Sequence, residues 1–206
     1  PYSVDYKKTF SDDLGLNTGG MGALTSPSLI SLEQYEERID KEIINPILNL
    51  INDVDPDYKG FISLRLKINK NNMYLLEFNS RLSDPVGQNI FFLMESSILD
   101  MIENNSNFKP EFINTFSCSL VLATKGYPLT FESNILIKGL DYTKENLQLF
   151  YNKIKTRNDK YFTNSGRVLT ITSKSDNHNL ASKILYDTIH SIYFDGMFYR
   201  RDIGKF

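Results

Sequence analysis

The chain has 206 residues, 41% of them hydrophobic, with 23 Lys and Arg against 25 Asp and Glu and a formal charge of −2. That is apolar material for one large or two small globular domains, and its charge balance excludes the basic footprint of a nucleic-acid partner, since the pairs Lys7-Lys8 and Arg200-Arg201 are too short to track a phosphate backbone. No apolar run approaches the ~20 residues of a membrane-spanning helix, and the single cysteine, Cys118, excludes a disulfide framework, so a reducing cytoplasm is the expected compartment. Because the chain opens at Pro1 and not at Met, we expect a fragment or a processed product.

Residues 1–30 are rich in Gly, Asn, Ser and Thr around Leu16-Asn17-Thr18-Gly19-Gly20-Met21-Gly22, which predicts an extended loop. From Ser31 the pattern becomes helical: Ser31 and Gln34 form a capping-box pair, and Tyr35, Ile39, Ile43, Ile47 and Ile51 recur every four residues. Pro46 should kink or divide that helix. Alternation over Gly60–Ile68, a turn at Asn69–Asn72 and a second run Met73–Asn79 predict a hairpin. A helix is expected over Gln88–Glu103, where Ile90, Phe91, Met94, Ile98 and Met101 keep helical spacing. After the polar break Asn104-Asn105-Ser106-Asn107 come strands at Phe116–Thr124, Asn134–Ile137 and Gly166–Thr172. A last helix follows from His178 to about Tyr193, capped by Asn177 or Asp176, with Leu180, Ile184, Leu185, Thr188 and Ile192 on one face.

The stretch richest in chemistry is Glu77-Phe78-Asn79-Ser80-Arg81. On a strand, Glu77, Asn79 and Arg81 share one face while Leu76 and Phe78 point to the other, toward a core. A carboxylate and an amide oxygen two residues apart suit a hard cation such as Mg²⁺, and Arg81 suits a carboxylate or phosphate; an alternating polar strand face is the competing reading. The glycines of the Asn17–Gly22 segment allow close approach of backbone N–H groups to an anion, or simply make turns. Cys118 in an alternating run reads as a small buried thiol, and His178 and His190, twelve apart, carry no metal-binding spacing.

In order along the chain, Asp5-Tyr6-Lys7-Lys8 with Gly15-Leu16-Asn17-Thr18-Gly19-Gly20-Met21-Gly22-Ala23 resembles the D-H-K-R and G-P-N-T-G-G-M-G-A segments of phosphoribosylamine–glycine ligases, also called glycinamide ribonucleotide synthetases. Glu77-Phe78-Asn79-Ser80-Arg81 with Asp84-Pro85 and Gln88 resembles the family's E-F-N-x-R-x-x-D-P-E-T-Q. Leu122-Ala123 with Gly126-Tyr127-Pro128, then Gly166-Arg167-Val168-Leu169, then Tyr199-Arg200-Arg201-Asp202-Ile203-Gly204 are similar to its carboxy-terminal signatures. Val86-Gly87 stand where the family has Glu-Thr, Tyr6 replaces its His, Arg65 falls where small residues are usual, and Tyr151-Asn152-Lys153-Ile154 replaces H-A-G-T.

The resemblance implies an α+β architecture: the second half of an ATP-grasp fold over residues 1–110, followed by a small β-rich carboxy-terminal domain over 111–206. It implies ATP-dependent joining of glycine to phosphoribosylamine through a glycyl phosphate, a reaction needing no protein nucleophile, only positioning and charge neutralisation. By resemblance Glu77 and Asn79 hold Mg²⁺ (or Mn²⁺), while Arg81, Asp84, Lys7 and the loop Asn17, Thr18, Gly19, Gly20, Met21 and Gly22 face the substrates or phosphate groups. The expected partners are ATP, glycine, phosphoribosylamine and the amino-terminal half of the same enzyme, with neither nucleic acid nor membrane. The alternative is a non-catalytic, diverged ATP-grasp module serving as a binding or assembly subunit.

Overall fold

A computed structural model describes residues 1–26, 35–69, 72–103, 108–141 and 144–205. The chain forms two compact units, one of Pro1–Pro27, Asp84–Ser97 and Lys109–Phe206, the other of Ser28–Ser83 and Ile98–Phe108.

The first unit is built on a five-stranded antiparallel sheet. Strands β1 (Tyr2–Phe10) and β2 (Leu14–Ser26) form a hairpin where the sequence predicts a loop, because polar and glycine side chains conceal a period-2 backbone that the sheet satisfies by hydrogen bonding. Asp12 and Asp13 turn the hairpin with φ of 58° and 54°, a left-handed conformation that Asp tolerates. Beyond β2 lies β5 (Phe116–Ala123), then β10 (Arg167–Ser175), then β7 (Leu147–Tyr151). A three-stranded sheet of β6 (Leu136–Ile137), β9 (Lys160–Thr163) and β8 (Ile154–Arg157) completes the strands of this unit. Asn158 and Asp159, with φ of 49° and 56°, make the two-residue turn between β8 and β9. The strand expected at Asn134–Ile137 shortens to its last two residues because Asn134 takes a φ of 63°.

Strand β5 shows how the core is divided. Cys118, Leu120 and Leu122 point to one face, where they pack with Leu169, Ile171, Ala181 and Leu185. Val121 and Ala123 point to the other and meet Met21. Helix α5 (His178–Ile189) lies against β5 and β10. The side chain of Asn177 accepts the N–H groups of Asn179 at 2.8 Å and Leu180 at 3.3 Å, so the predicted cap is the actual one. The helix stops at Ile189, short of Tyr193, and its buried positions are Ala181, Ser182, Leu185, Thr188 and Ile189, while the predicted core residue Leu180 is half exposed.

Helix α3 (Val86–Leu93) also belongs to this unit and packs on β2, β5 and β10. The single helix expected over Gln88–Glu103 is therefore two, α3 and α4 (Ile98–Glu103), because Met94 turns extended (φ −75°, ψ 126°) and forms a bridge with Phe112.

The second unit holds α1 (Glu36–Ile39), a π-helical turn (Asp40–Ile44), α2 (Asn45–Val54), α4 and the hairpin β3 (Ser63–Asn69)/β4 (Asn72–Asn79). Pro46 divides the helix as expected: its ring cannot accept the carbonyl four residues back, and the wider π turn immediately before it removes that conflict. Tyr35, Ile39 and Ile43 are buried, as the four-residue spacing predicts, while Ile47 and Ile51 of the same stripe are only partly buried. The predicted capping pair Ser31/Gln34 and part of the Asn69–Asn72 turn lie outside the described residues.

Candidate functional site

In the β1/β2 hairpin the pair Tyr6↔Gly22 is followed by Lys8↔Asn17. Four residues of β2, Thr18 to Met21, thus oppose the single residue Lys7, and the glycine-rich segment is a bulge inside a strand. Thr18 Oγ1 donates to Lys7 O at 2.8 Å and accepts from the Gly20 N–H at 3.0 Å. Lys7 Nζ donates to Gly19 O at 3.2 Å and pairs with Asp5 at 2.7 Å. Gly19 N–H donates to the Tyr127 hydroxyl at 3.1 Å. The bulge is therefore held from both its own hairpin and the carboxy-terminal part of the chain.

Its glycines are required by what touches them. A Cβ on Gly19 would stand 2.7 Å from Arg167 Nη2, and Gly20, at φ +125°, would press one into the Asp84 carbonyl and lie 2.7 Å from Pro85 Cδ. Met21, although within the predicted site, has its side chain fully buried, so only its backbone is available to a ligand.

Asp84 comes to the same place. Its carboxylate takes an ion pair from Arg167 Nη2 at 2.9 Å and a hydrogen bond from Gln88 Nε2 at 2.6 Å. Arg167 Nη1 also donates to Gly20 O at 3.3 Å and to Asp84 O at 3.4 Å. Lys7, the 17–22 segment and Asp84 thus belong to one cluster, and Arg167 and Tyr127 join it. Sequence reasoning noticed the last two only as parts of motifs; nothing in their spacing marks their contacts with residues more than 80 positions away.

Glu77, Asn79 and Arg81 lie in or beside β4 of the second unit. The register pairs Arg65 with Glu77 and Ser63 with Asn79. Arg65 Nη1 is 3.5 Å from Glu77 Oε1, both side chains about half exposed, and Ser63 Oγ donates to Arg81 O at 2.8 Å. Glu77 and Asn79 do share a face, and an all-oxygen donor pair fits a hard divalent cation. The basic Arg65 beside Glu77 is the one feature that competes with a cation there. Leu76 and Phe78, predicted to point into a core, are 55% and 64% exposed; alternation places them opposite Glu77 and Asn79, but nothing described covers them. Among the described residues, no three His, Cys, Asp or Glu side chains gather as a metal cluster.

Two buried polar clusters brace the first unit. Asn89 of α3 donates to Thr25 Oγ1 at 3.0 Å, and its amide oxygen accepts from Ser117 at 3.0 Å and Ser119 at 2.5 Å. Arg200, 1% exposed, bonds Asp13 at 2.9 Å, Asp202 at 2.5 Å and Lys8 O at 3.2 Å, tying the last residues to the tip of the first hairpin. Burial opposes ionisation of Asp202, but the hydrogen bonds from Arg200 and the Asp12 N–H outweigh it and hold the carboxyl below its ordinary range. The Tyr6 hydroxyl accepts the Gly204 N–H at 3.1 Å, and burial raises its pKa. Burial likewise pushes the Cys118 thiol up to about 12, so it is a packing residue.

Among the described residues no helix is long and apolar enough to cross a membrane. Residues 1–87 match the model of the phosphoribosylglycinamide synthetase ATP-grasp (A) domain, and residues 117–206 that of the phosphoribosylglycinamide synthetase C domain. A phosphoribosylamine–glycine ligase of Clostridium acetobutylicum is 37% identical over 98% of this chain and 49% of its own length. The crystal structure of the phosphoribosylamine–glycine ligase from Thermotoga maritima superposes with a TM-score of 0.83 at 28% identity, over 98% of this chain and 51% of that one. The biotin carboxylase domain of Hydrogenobacter thermophilus 2-oxoglutarate carboxylase, solved with MgADP and bicarbonate, shares the fold at a TM-score of 0.64 and 10% identity. The chain spans about half the length of the curated relatives it matches. With both domain matches in one chain, in this order and on an α+β frame of the ATP-grasp class, the chain belongs to the phosphoribosylglycinamide synthetase family.

Proposed function

We propose that this chain is part of an ATP-dependent carbon–nitrogen ligase that joins glycine to 5-phosphoribosylamine through a glycyl phosphate in purine biosynthesis. The observation that carries the reading is the co-occurrence, in one polypeptide, of both family domain matches, at 1–87 and 117–206. The relatives' name, phosphoribosylamine–glycine ligase, gives the same two substrates.

In this reading Glu77 and Asn79 hold Mg²⁺ or Mn²⁺, which when bound with ATP neutralises charge on the transferring phosphoryl group. The protein's own contribution is placement. Arg81 supplies a cation two residues beyond the strand that carries the two oxygen donors. Lys7, paired with Asp5, and the bulge Asn17–Gly22, whose Gly19 and Gly20 N–H groups are bonded within the protein, line the place of the substrates' carboxylate and phosphate. Asp84, held by two side chains, faces the ammonium of glycine or the amine of phosphoribosylamine. The amino-terminal half of the enzyme is the partner that completes the nucleotide site, and the exposed Leu76 and Phe78 support a surface made to be covered. A reducing cytoplasm fits the buried, protonated Cys118.

The test is an assay of the intact gene product that carries this chain, following ADP release with glycine and with phosphoribosylamine generated in situ. We expect ADP only when both are present, near-complete loss in Glu77→Gln, and Mn²⁺ binding, read by electron paramagnetic resonance, that weakens in Glu77→Gln and tightens in Arg65→Ser. A folded gene product that releases no ADP under these conditions overturns the reading.

A further inference from the structure

We infer that Arg167, the first residue of β10, is a positioning residue for the glycine bulge and the Asp84 carboxylate, so that the C domain sets the geometry of a site otherwise drawn from the ATP-grasp domain; the functional part of this inference rests on the ligase reading above.

One guanidinium joins the bulge and Asp84 to β10. Nη2 pairs with Asp84 Oδ2 at 2.9 Å, and Nη1 donates to Gly20 O at 3.3 Å and Asp84 O at 3.4 Å. Only the planar fork of Arg reaches a carboxylate and two carbonyls in separate directions at once; the single ammonium of Lys does not. The neighbouring backbone is shaped to receive it. Gly19 lacks the Cβ that would collide with the guanidinium, and Gly20 lacks the one that would collide with the Asp84 carbonyl. Because a peptide is planar, holding the Gly20 carbonyl also fixes where the Met21 N–H points. Two of the three segments lie in the 1–87 match and Arg167 in the 117–206 match. The side chain is 22% exposed, so these contacts are only partly screened by water.

Two measurements on the gene product carrying this chain test the inference. The first, hydrogen–deuterium exchange, does not depend on activity. In Arg167→Met, exchange should rise at residues 17–22 and 82–86 and stay unchanged in α5. The second is ligase kinetics. Arg167→Met should lower kcat/KM by about 100-fold, the loss expected for two charge-assisted contacts at tenfold per ~1.4 kcal/mol. Arg167→Ala should regain at least ~5-fold with added methylguanidinium, to which the wild type does not respond. Arg167→Lys serves if the shorter variants fail to fold, and should lie between them and wild type. Unchanged exchange at the bulge, or exchange raised everywhere together with a collapse in melting temperature, overturns the inference. So does an altered bulge with unaltered kinetics and no guanidinium response. A wild type without ligase activity sinks the ligase reading instead, and the exchange pattern still decides whether Arg167 holds the bulge.

Discussion

Gly20 concentrates two constraints in one residue: a φ of +125° that side-chain-bearing residues rarely adopt, and an Asp84 carbonyl standing where a Cβ would go. Gly20→Ala should therefore cost about 2–3 kcal/mol of unfolding free energy, measured by urea denaturation; a loss below ~0.5 kcal/mol would mean the bulge relaxes freely. Asp202 gives a prediction with a pH sign. Its carboxyl titrates lower in the folded protein than its ordinary value of 3.8. Its contribution is thus complete above that value and lost as pH falls through the lower, folded pKa. Thermal melts of wild type and Asp202→Asn should differ most at about pH 5–7 and draw together as acid protonates the folded carboxyl, below its ordinary value of 3.8; a gap that does not narrow in acid would contradict the ionised pair. The sequence marked both residues only as members of motifs, not for these contacts. Gly20 was one of several glycines, and the partners of Asp202 besides Arg200 lie 190 positions away.

Whole elements were read well where periodicity and packing agreed. The stripe Tyr35, Ile39, Ile43 and the Asn177 cap are where spacing and capping rules put them, and Pro46 divides its helix. The first 26 residues were misread because a strand bonded on both sides can bury Thr, Ser and Gly as well as Val and Ile; Thr25 and Ser26 are buried. Helix α3 faces that polar interior with Asn89, whose amide satisfies Thr25, Ser117 and Ser119. Asn89→Ala takes one partner from each hydroxyl, leaving Thr25 with Ser3, Ser117 with the Ser173 carbonyl and Ser119 with Thr172, and should destabilise the first unit by about 1–2 kcal/mol, seen as a lowered denaturation midpoint with an unchanged slope. An effect within ~0.5 kcal/mol would show that the hydroxyls re-pair among themselves.

For the molecule as a whole, the family and the order of its signatures were legible, whereas the spatial grouping was not. Residues 1–27 cluster with the carboxy-terminal sheet, and residues 28–83 form a second unit together with 98–108. No local pattern announces that β2 will pair with β5, whose register joins Gly22 to Leu120. The exposed Leu76 and Phe78 carry a consequence at this scale: the isolated 206-residue chain should self-associate at micromolar concentration. Leu76→Ser/Phe78→Ser should abolish that association without lowering the melting temperature, as followed by sedimentation velocity, and a variant that still associates would move the sticky surface elsewhere. The clasp of Arg200 on Asp13 has a further consequence, in time rather than space. During synthesis the β1/β2 hairpin must wait for β5, whose first residue is Phe116, and then for Arg200, 187 positions beyond Asp13, to lock its tip, whereas most of the second unit is the single stretch 28–83. Until β5 arrives, the edge of β2 that it will cover stays open, the kind of edge a chaperone shields.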